Sequence, residues 1–163
     1  MNKGWFSKSP RAIKWAINLF PPLLFSGIAV TYISSDFRHC KIKLKNWPGT
    51  RNANGTQFGG SLFSMSDGVF GILLLCILGW NKYYVWDKRA KISFDSPGVG
   101  TLYLEIEIPE DVISTILEET RDGNKHFTTL LGHICDKRGK HVASIERTLY
   151  VRLRPQYRKT PQT

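Results

Sequence analysis

Acidic residues are scarce in this 163-residue chain: 13 Asp and Glu stand against 23 Lys and Arg, a formal net charge of +10. That deficit points to an anionic partner, whether nucleic acid, a membrane surface or a phosphorylated cofactor. Cysteine is scarcer still. Cys40, Cys76 and Cys135 form an odd set with no C-x-x-C pair, so neither a disulfide framework nor a zinc site follows. Free thiols suit a reducing compartment, and cytoplasmic localisation is expected. His39, His126, His133 and His141 lack metal-ligand spacing, so no metal is expected. Also missing are a G-x-S-x-G elbow and a Gly-rich phosphate loop followed by Lys. The most apolar run, Val69–Trp80, is shorter than the roughly 20 residues a helix needs to span hydrocarbon. Extended backwards it meets Asp67, Ser66 and Ser64, so a soluble core helix with no membrane span is the reading.

What is present suits one packed domain over residues 1–163, with 42% hydrophobic and 12% aromatic residues. The charge is unevenly placed: net +8 over residues 1–51, +1 over 52–101, −6 over 102–122 and +7 over 123–163. Two cationic blocks around an acidic island do not resemble the single basic arm of a nucleic-acid binder. The chain start mimics a signal peptide, with Lys3, Lys8, Arg11 and Lys14 before an apolar run. Asn18, Pro21-Pro22 and Ser26 interrupt that run, and no small-residue cleavage site follows. Ile13, Ala16, Ile17 and Phe20 fall at helical spacing after Ser9 as N-cap and Pro10 in the first turn. The spacing predicts an amphipathic helix over about 10–20 that packs on its own domain, with a peripheral membrane anchor as the alternative.

Strands are predicted over 28–33, 40–44, 83–94, 102–108, about 125–136 and about 140–153, the clearest being Leu102, Leu104, Ile106 and Ile108 alternating with polar residues. A short helix is expected over 110–121, and a polar tail after Arg154 is expected to fray. The segment from about 59 to 79 is long enough for a helix and too apolar to stand uncovered. An antiparallel sheet wrapped around that helix, an α+β arrangement, is the economical solution.

Candidate chemistry sits on this helix. Gly60, Ser64, Asp67 and Gly71 fall at helical spacing as a small or polar stripe. Gly59-Gly60 would leave backbone N–H groups free at a positive helix terminus, suited to a developing oxyanion. A carboxylate at Asp67 then supplies the skeleton of an acyl-transfer site. Ser66-Asp67-Gly68 is equally a turn sequence that would split the segment and put Asp67 on the surface. On spacing alone the two readings are even.

FGGSLFSMSD resembles the central-helix motif of hotdog-fold acyl-coenzyme A thioesterases of the phenylacetyl type: His-Gly-Gly, six residues, then Asp, with an Asn six positions before the His. Asn52, Phe58-Gly59-Gly60 and Asp67 match that spacing. The chain is more similar to a thioesterase-like hotdog group of unknown function with a Gly-Thr-His-Phe-Gly-Gly-Ser motif and a later Trp-Asp-Lys. Here these read Gly55-Thr56-Gln57-Phe58-Gly59-Gly60-Ser61 and Trp86-Asp87-Lys88, with Pro21-Pro22 and a final Thr148-Leu149-Tyr150-Val151-Arg152 also shared. The likeness covers about residues 10–153.

The resemblance implies a hotdog fold and a homodimer, with tetramers possible, whose active sites lie between protomers. It implies hydrolysis of an acyl-coenzyme A or acyl-carrier thioester, with coenzyme A as part of the substrate and no other cofactor. Asp67 of one subunit would be the general base, and the Gly59 or Gly60 amide of the other would hold the oxyanion. Asn52 would position water or substrate, with Gln57, Phe58 and Ser64 lining the site. Phe58 and Gln57 replace the motif histidines, which removes any proton exchange by His and disfavours dehydratase chemistry. Lys88 and Arg89 are candidates for coenzyme A phosphates, or an ordinary solvated charged face. Asp87 is a second functional carboxylate or a strand-end ion pair. The alternatives to an enzyme are a non-catalytic hotdog module for an acyl chain or protein partner and, lower, a nucleic-acid binder, for which no motif is present.

Overall fold

A computed structural model describes residues 9–158. Helix α1 (Pro10–Leu19) is followed by a short α2 (Pro21–Phe25), strands β1 (Ile28–Ile33) and β2 (His39–Leu44), and helices α3 (Gly59–Ser64) and α4 (Val69–Leu78). Strands β3 (Tyr83–Phe94) and β4 (Leu102–Glu107), helix α5 (Glu110–Glu119), and strands β5 (Lys125–Asp136) and β6 (His141–Leu153) complete the domain. The strands form one six-stranded sheet, ordered β1-β2-β4-β5-β6-β3, and every neighbouring pair is antiparallel. This is the α+β arrangement, an antiparallel sheet with an apolar central helix, that the patterning predicts, and it agrees with the hotdog fold that the resemblance implies.

The core lies between the sheet and α4. Val69, Phe70, Leu73, Leu74 and Leu78 are buried there against Leu104, Leu130, Ile134, Ile145 and Leu149. Gly132 faces inward on β5 because a side chain would not fit: a Cβ there would lie 2.8 Å from Leu104 Cδ1 and 3.5 Å from the Phe70 ring. Helix α4 is apolar all round, yet Ile72, Leu75, Cys76 and Ile77 are only partly buried.

The central helix differs from a continuous rod over 59–79. Gly59–Leu78 is long and apolar enough by composition to cross a membrane, but much of it is buried inside the fold and it is broken once. Residues 65–68 form a turn in which Gly68 takes φ +71°, a conformation cheap only for glycine, and α4 restarts behind it. The turn signal of Ser66-Asp67-Gly68 therefore prevails over helical periodicity, and it interrupts the stripe from Gly60 to Gly71.

Both ends of the described segment carry local structure. Ser9 occupies the N-cap position of α1, although its side chain makes no capping bond. Pro21-Pro22 ends α1 and opens α2. At the other end Pro155–Tyr157 form a 3₁₀ turn, and Arg158 Nε donates to the Leu153 carbonyl at 2.8 Å. Lys3 and Lys8, and the tail over 159–163, lie outside the described residues.

Helix α1 packs on its own domain through buried Ile13 and Ile17, and it also closes one edge of the sheet. Strand β1 is terminal, so one side of its backbone has no strand partner. The Asn18 side chain takes that place: Oδ1 accepts from the Val30 N–H at 2.7 Å, and Nδ2 donates to the Val30 carbonyl at 2.9 Å. Asn18→Ala is expected to lower the unfolding free energy by about 1–2 kcal/mol in urea titration. It should also speed hydrogen exchange at the Val30 amide. Unchanged stability with Val30 still protected would contradict this role.

Candidate active site

The break in the central helix interrupts its hydrogen-bond ladder, and one side chain on β6 closes the gap. Arg147 is 2% exposed. Its Nη2 donates to the Phe63 carbonyl at 3.1 Å, its Nε to Ser66 Oγ at 3.0 Å and its Nη1 to Asp67 Oδ1 at 3.1 Å. The guanidinium also lies over the Phe63 ring, 4.6 Å from its centroid. Arg147 is the functional residue that sequence reasoning missed. The signal was available: Ile145, Arg147, Leu149 and Val151 share one face of β6, and a cation among inward-facing aliphatics needs a partner.

A second carboxylate reaches the same guanidinium. Asp87 Oδ2 lies 3.6 Å from Arg147 Nη1, and the Asp87 side chain is 31% exposed. The register of β3 against β6 slips between Asp87 and Arg89, making Lys88 an extra residue in the strand. Asp87 is therefore opposite Leu149, and Ala90 opposite Arg147, on the inward face. Burial pushes the Asp87 carboxyl above its ordinary value. The Arg147 charge opposes that shift, the Asp67 carboxylate adds to it, and the Gly68 backbone N–H, which donates to Asp87, opposes it. Desolvation wins.

Asp67 itself stands at the surface, its side chain 63% exposed. Its fixed neighbour within the chain is the Arg147 guanidinium, because the turn lifts Asp67 away from the core. Asn52 lies elsewhere and organises its own loop. Its Oδ1 accepts from the backbone N–H groups of Asn54 and Thr56 at 3.0 and 3.2 Å, and its Nδ2 donates to Thr56 Oγ1 at 2.8 Å. Asn52, Gln57, Gly59 and Phe94 line one cavity of about 460 Å³ that Asp67 does not reach. Gln57 is 5% exposed there; Nε2 donates to the carbonyls of Gly100 and Lys45 at 2.6 and 3.3 Å, while Oε1 has no partner among the described residues.

The start of α3 is shaped by aromatic rings. A Cβ at Gly60 would lie 2.3 Å from the exposed Phe58 ring, and one at Gly59 would lie 3.1 Å from Phe94. Ser64 Oγ donates back to the Gly60 carbonyl at 2.8 Å, so its hydroxyl is engaged within the helix. Lys88 and Arg89 are exposed on β3 and form no ion pair among the described residues. The same residues contain no group of three or more His, Cys, Asp or Glu placed to hold a metal ion. The structure thus groups Asn52, Gln57 and Gly59 at one place and Asp67, Asp87 and Arg147 at another.

A raised Asp87 pKa carries a definite sign. The folded protein holds the proton to higher pH than the unfolded chain, so this group's contribution to stability falls as pH rises from the ordinary Asp range through the folded value. In Asp87→Asn that loss is removed. The stability of the variant minus that of wild type, from urea titrations at several pH values, should become more positive across this window. A difference that is flat, or that declines with rising pH, would contradict the assignment.

Solved structures share this fold. A Pseudomonas aeruginosa protein of unknown function, described as a probable thioesterase, superposes with a TM-score of 0.83 at 18% identity, covering 93% of this chain and 100% of its own. A Chlorobaculum tepidum protein of unknown function gives 0.71 at 12% identity, covering 90% and 98%. A thioesterase of Haemophilus influenzae gives 0.66 at 10% identity, covering 90% and 92%. At these identities the likeness establishes the hotdog fold. No curated protein matches the sequence. Residues 10–151 match the family described as a domain of unknown function, DUF4442. The chain belongs to the DUF4442 family.

Proposed function

We propose that this protein is a cytoplasmic thioester hydrolase acting on acyl-coenzyme A or an acyl carrier, working as a homodimer with Asp67 as general base. The observation that carries the reading is Asp67 itself: an exposed carboxylate, fixed by a buried guanidinium, at the break of the central helix of a hotdog fold. The neighbouring folds that are called thioesterases support the reaction class.

The uncovered edge beside the site favours two chains per site. Gly60 lies in α3, whereas Asp67 lies in the turn over 65–68 that follows it. The attacking water must lie within hydrogen-bond reach of its base and about 3 Å from the carbonyl carbon, and the carbonyl oxygen about 3 Å from its donor. In the resembling family the base and the oxyanion amide come from different subunits, and the same division here would pair Asp67 of one chain with the Gly59 or Gly60 amide of another. Among the described residues strand β3 is a free sheet edge of 12 residues, and the adjacent helix α4 leaves Ile72, Leu75 and Cys76 partly uncovered. Pairing at this edge would cover both, and pairs of dimers would make the tetramer.

In this reading Asp67 takes a proton from water attacking the thioester carbonyl, and the α3 amide stabilises the charge that develops on oxygen; collapse of the tetrahedral intermediate then breaks the C–S bond, and the proton held by Asp67 passes to the departing thiolate. Asn52, Gln57, Phe58 and Ser64 shape the acyl side. Lys88 and Arg89, free of ion pairs on β3, meet coenzyme A phosphates, which also accounts for part of the cationic surplus. No further cofactor enters. One observation favours a second reading, a non-catalytic module for an acyl chain or protein: Gln57 and Phe58 supply no proton exchange where the related motifs have His.

The test follows free-thiol release over a panel of acyl-coenzyme A and acyl-carrier substrates. Asp67→Asn should lose on the order of a hundredfold or more in turnover, the usual scale for a removed general base. Equal turnover by variant and wild type would remove Asp67 from the mechanism. No turnover by wild type on any substrate would favour the module.

A further inference from the structure

The face of the α1–α2 hairpin turned away from the domain is apolar. Ile13 and Ile17 anchor α1 inward, and Asn18 ties it to β1, so its orientation is fixed. On the outside, Trp15 is 61% and Phe25 73% exposed, and Leu19, Phe20 and Leu24 are exposed with them. Five large apolar side chains within residues 15–25 exceed what scattered surface exposure accounts for. Arg11, Trp15 and Leu19 are spaced i, i+4, i+8, so a cation borders the apolar strip on the same helix face. Lys14 lies beside it, its Nζ 3.5 Å from the Thr31 carbonyl. No acidic residue precedes Asp36 in the sequence.

We propose that this hairpin is an interfacial anchor that docks the protein on an anionic phospholipid surface. Aromatic and aliphatic side chains flanked by cations, without acids, match the boundary between headgroups and acyl chains in chemistry and charge. A second copy fits less well. A two-fold contact through this patch would set Arg11 and Lys14 against a second copy of the same surface, which has no carboxylate to pair them. Strand β1 carries α1 at one end of the sheet order, and β3, with Asp87, is at the other. Docking at this end is away from the Asp87–Arg147 group. The anchor rests on this patch alone and not on the proposed hydrolysis.

Co-sedimentation with vesicles tests it, using the full chain. Wild type should sediment with vesicles of phosphatidylglycerol and phosphatidylcholine in equal parts, more weakly with phosphatidylcholine alone, and less at high salt. Trp15→Ser/Phe25→Ser and, separately, Leu19→Ser/Leu24→Ser should each weaken anionic-vesicle binding on the order of tenfold or more. Both pairs of side chains are exposed, and thermal unfolding confirms that at least one variant is folded. Arg11→Glu should weaken binding to the anionic vesicles in particular. Three results would overturn the proposal: no sedimentation of wild type with anionic vesicles, undiminished binding by both folded serine variants, or a smaller oligomer on sizing of those variants, which would make a second copy the occupant.

Discussion

Arg147 holds a full charge almost out of water, and it does so where the central helix loses its own hydrogen bonds. An unpaired buried charge typically costs several kcal/mol. Here it is paired and hydrogen-bonded, because the guanidinium donates to the Phe63 carbonyl, which also accepts from Ser66, to the Ser66 hydroxyl and to Asp67 in one planar fork. The arrangement also connects distant parts of the chain. Residues 63–67 of the broken helix, Asp87 on β3 and Arg147 on β6 meet at one point. The bulge at Lys88 brings Asp87 to that point.

The two ends of the sheet are treated differently, and the proposed chemistry follows from that asymmetry. At β1 the edge is closed by Asn18 and the helix that carries it. At β3 a long strand is left without a partner beside a helix whose apolar surface is only partly covered. A free edge and a bare apolar helix side by side are what a second chain would cover, and Asp67 lies beside that edge through Arg147. The same asymmetry separates the surfaces: α1–α2 presents apolar side chains outward at one end, while the carboxylates gather at the other.

Much of this was legible in the sequence because burial there is periodic. The alternation of Leu102, Leu104, Ile106 and Ile108 marks a strand whose inward face can be read directly, and residues 83–94 were readable as one long strand. The break at 65–68 was legible only as a choice: Ser66-Asp67-Gly68 is a turn sequence set inside an apolar helix, and the positive φ of Gly68 decides between them. Arg147 was visible as a charge on an apolar strand face, but its partners lie some 80 residues away along the chain. Asn18 read as an interruption in an apolar run. Its purpose depends on β1 being an edge, which no local pattern states. Asn52 matched a motif position, yet its side chain is occupied by its own turn.

The central claim is that a working site takes Asp67 from one chain and an α3 amide from another, and mixing inactive protomers tests it most directly. One protomer carries Asp67→Asn. The other carries Gly59→Pro or Gly60→Pro, whichever abolishes turnover, since proline at the first helical positions removes an N–H while keeping helical φ. Each mixed dimer would then hold one intact site. Co-refolded protomers in equal amounts are expected to recover about a quarter of wild-type turnover, because random pairing makes about half the dimers mixed. No recovery in a population shown to contain mixed dimers would contradict the shared site.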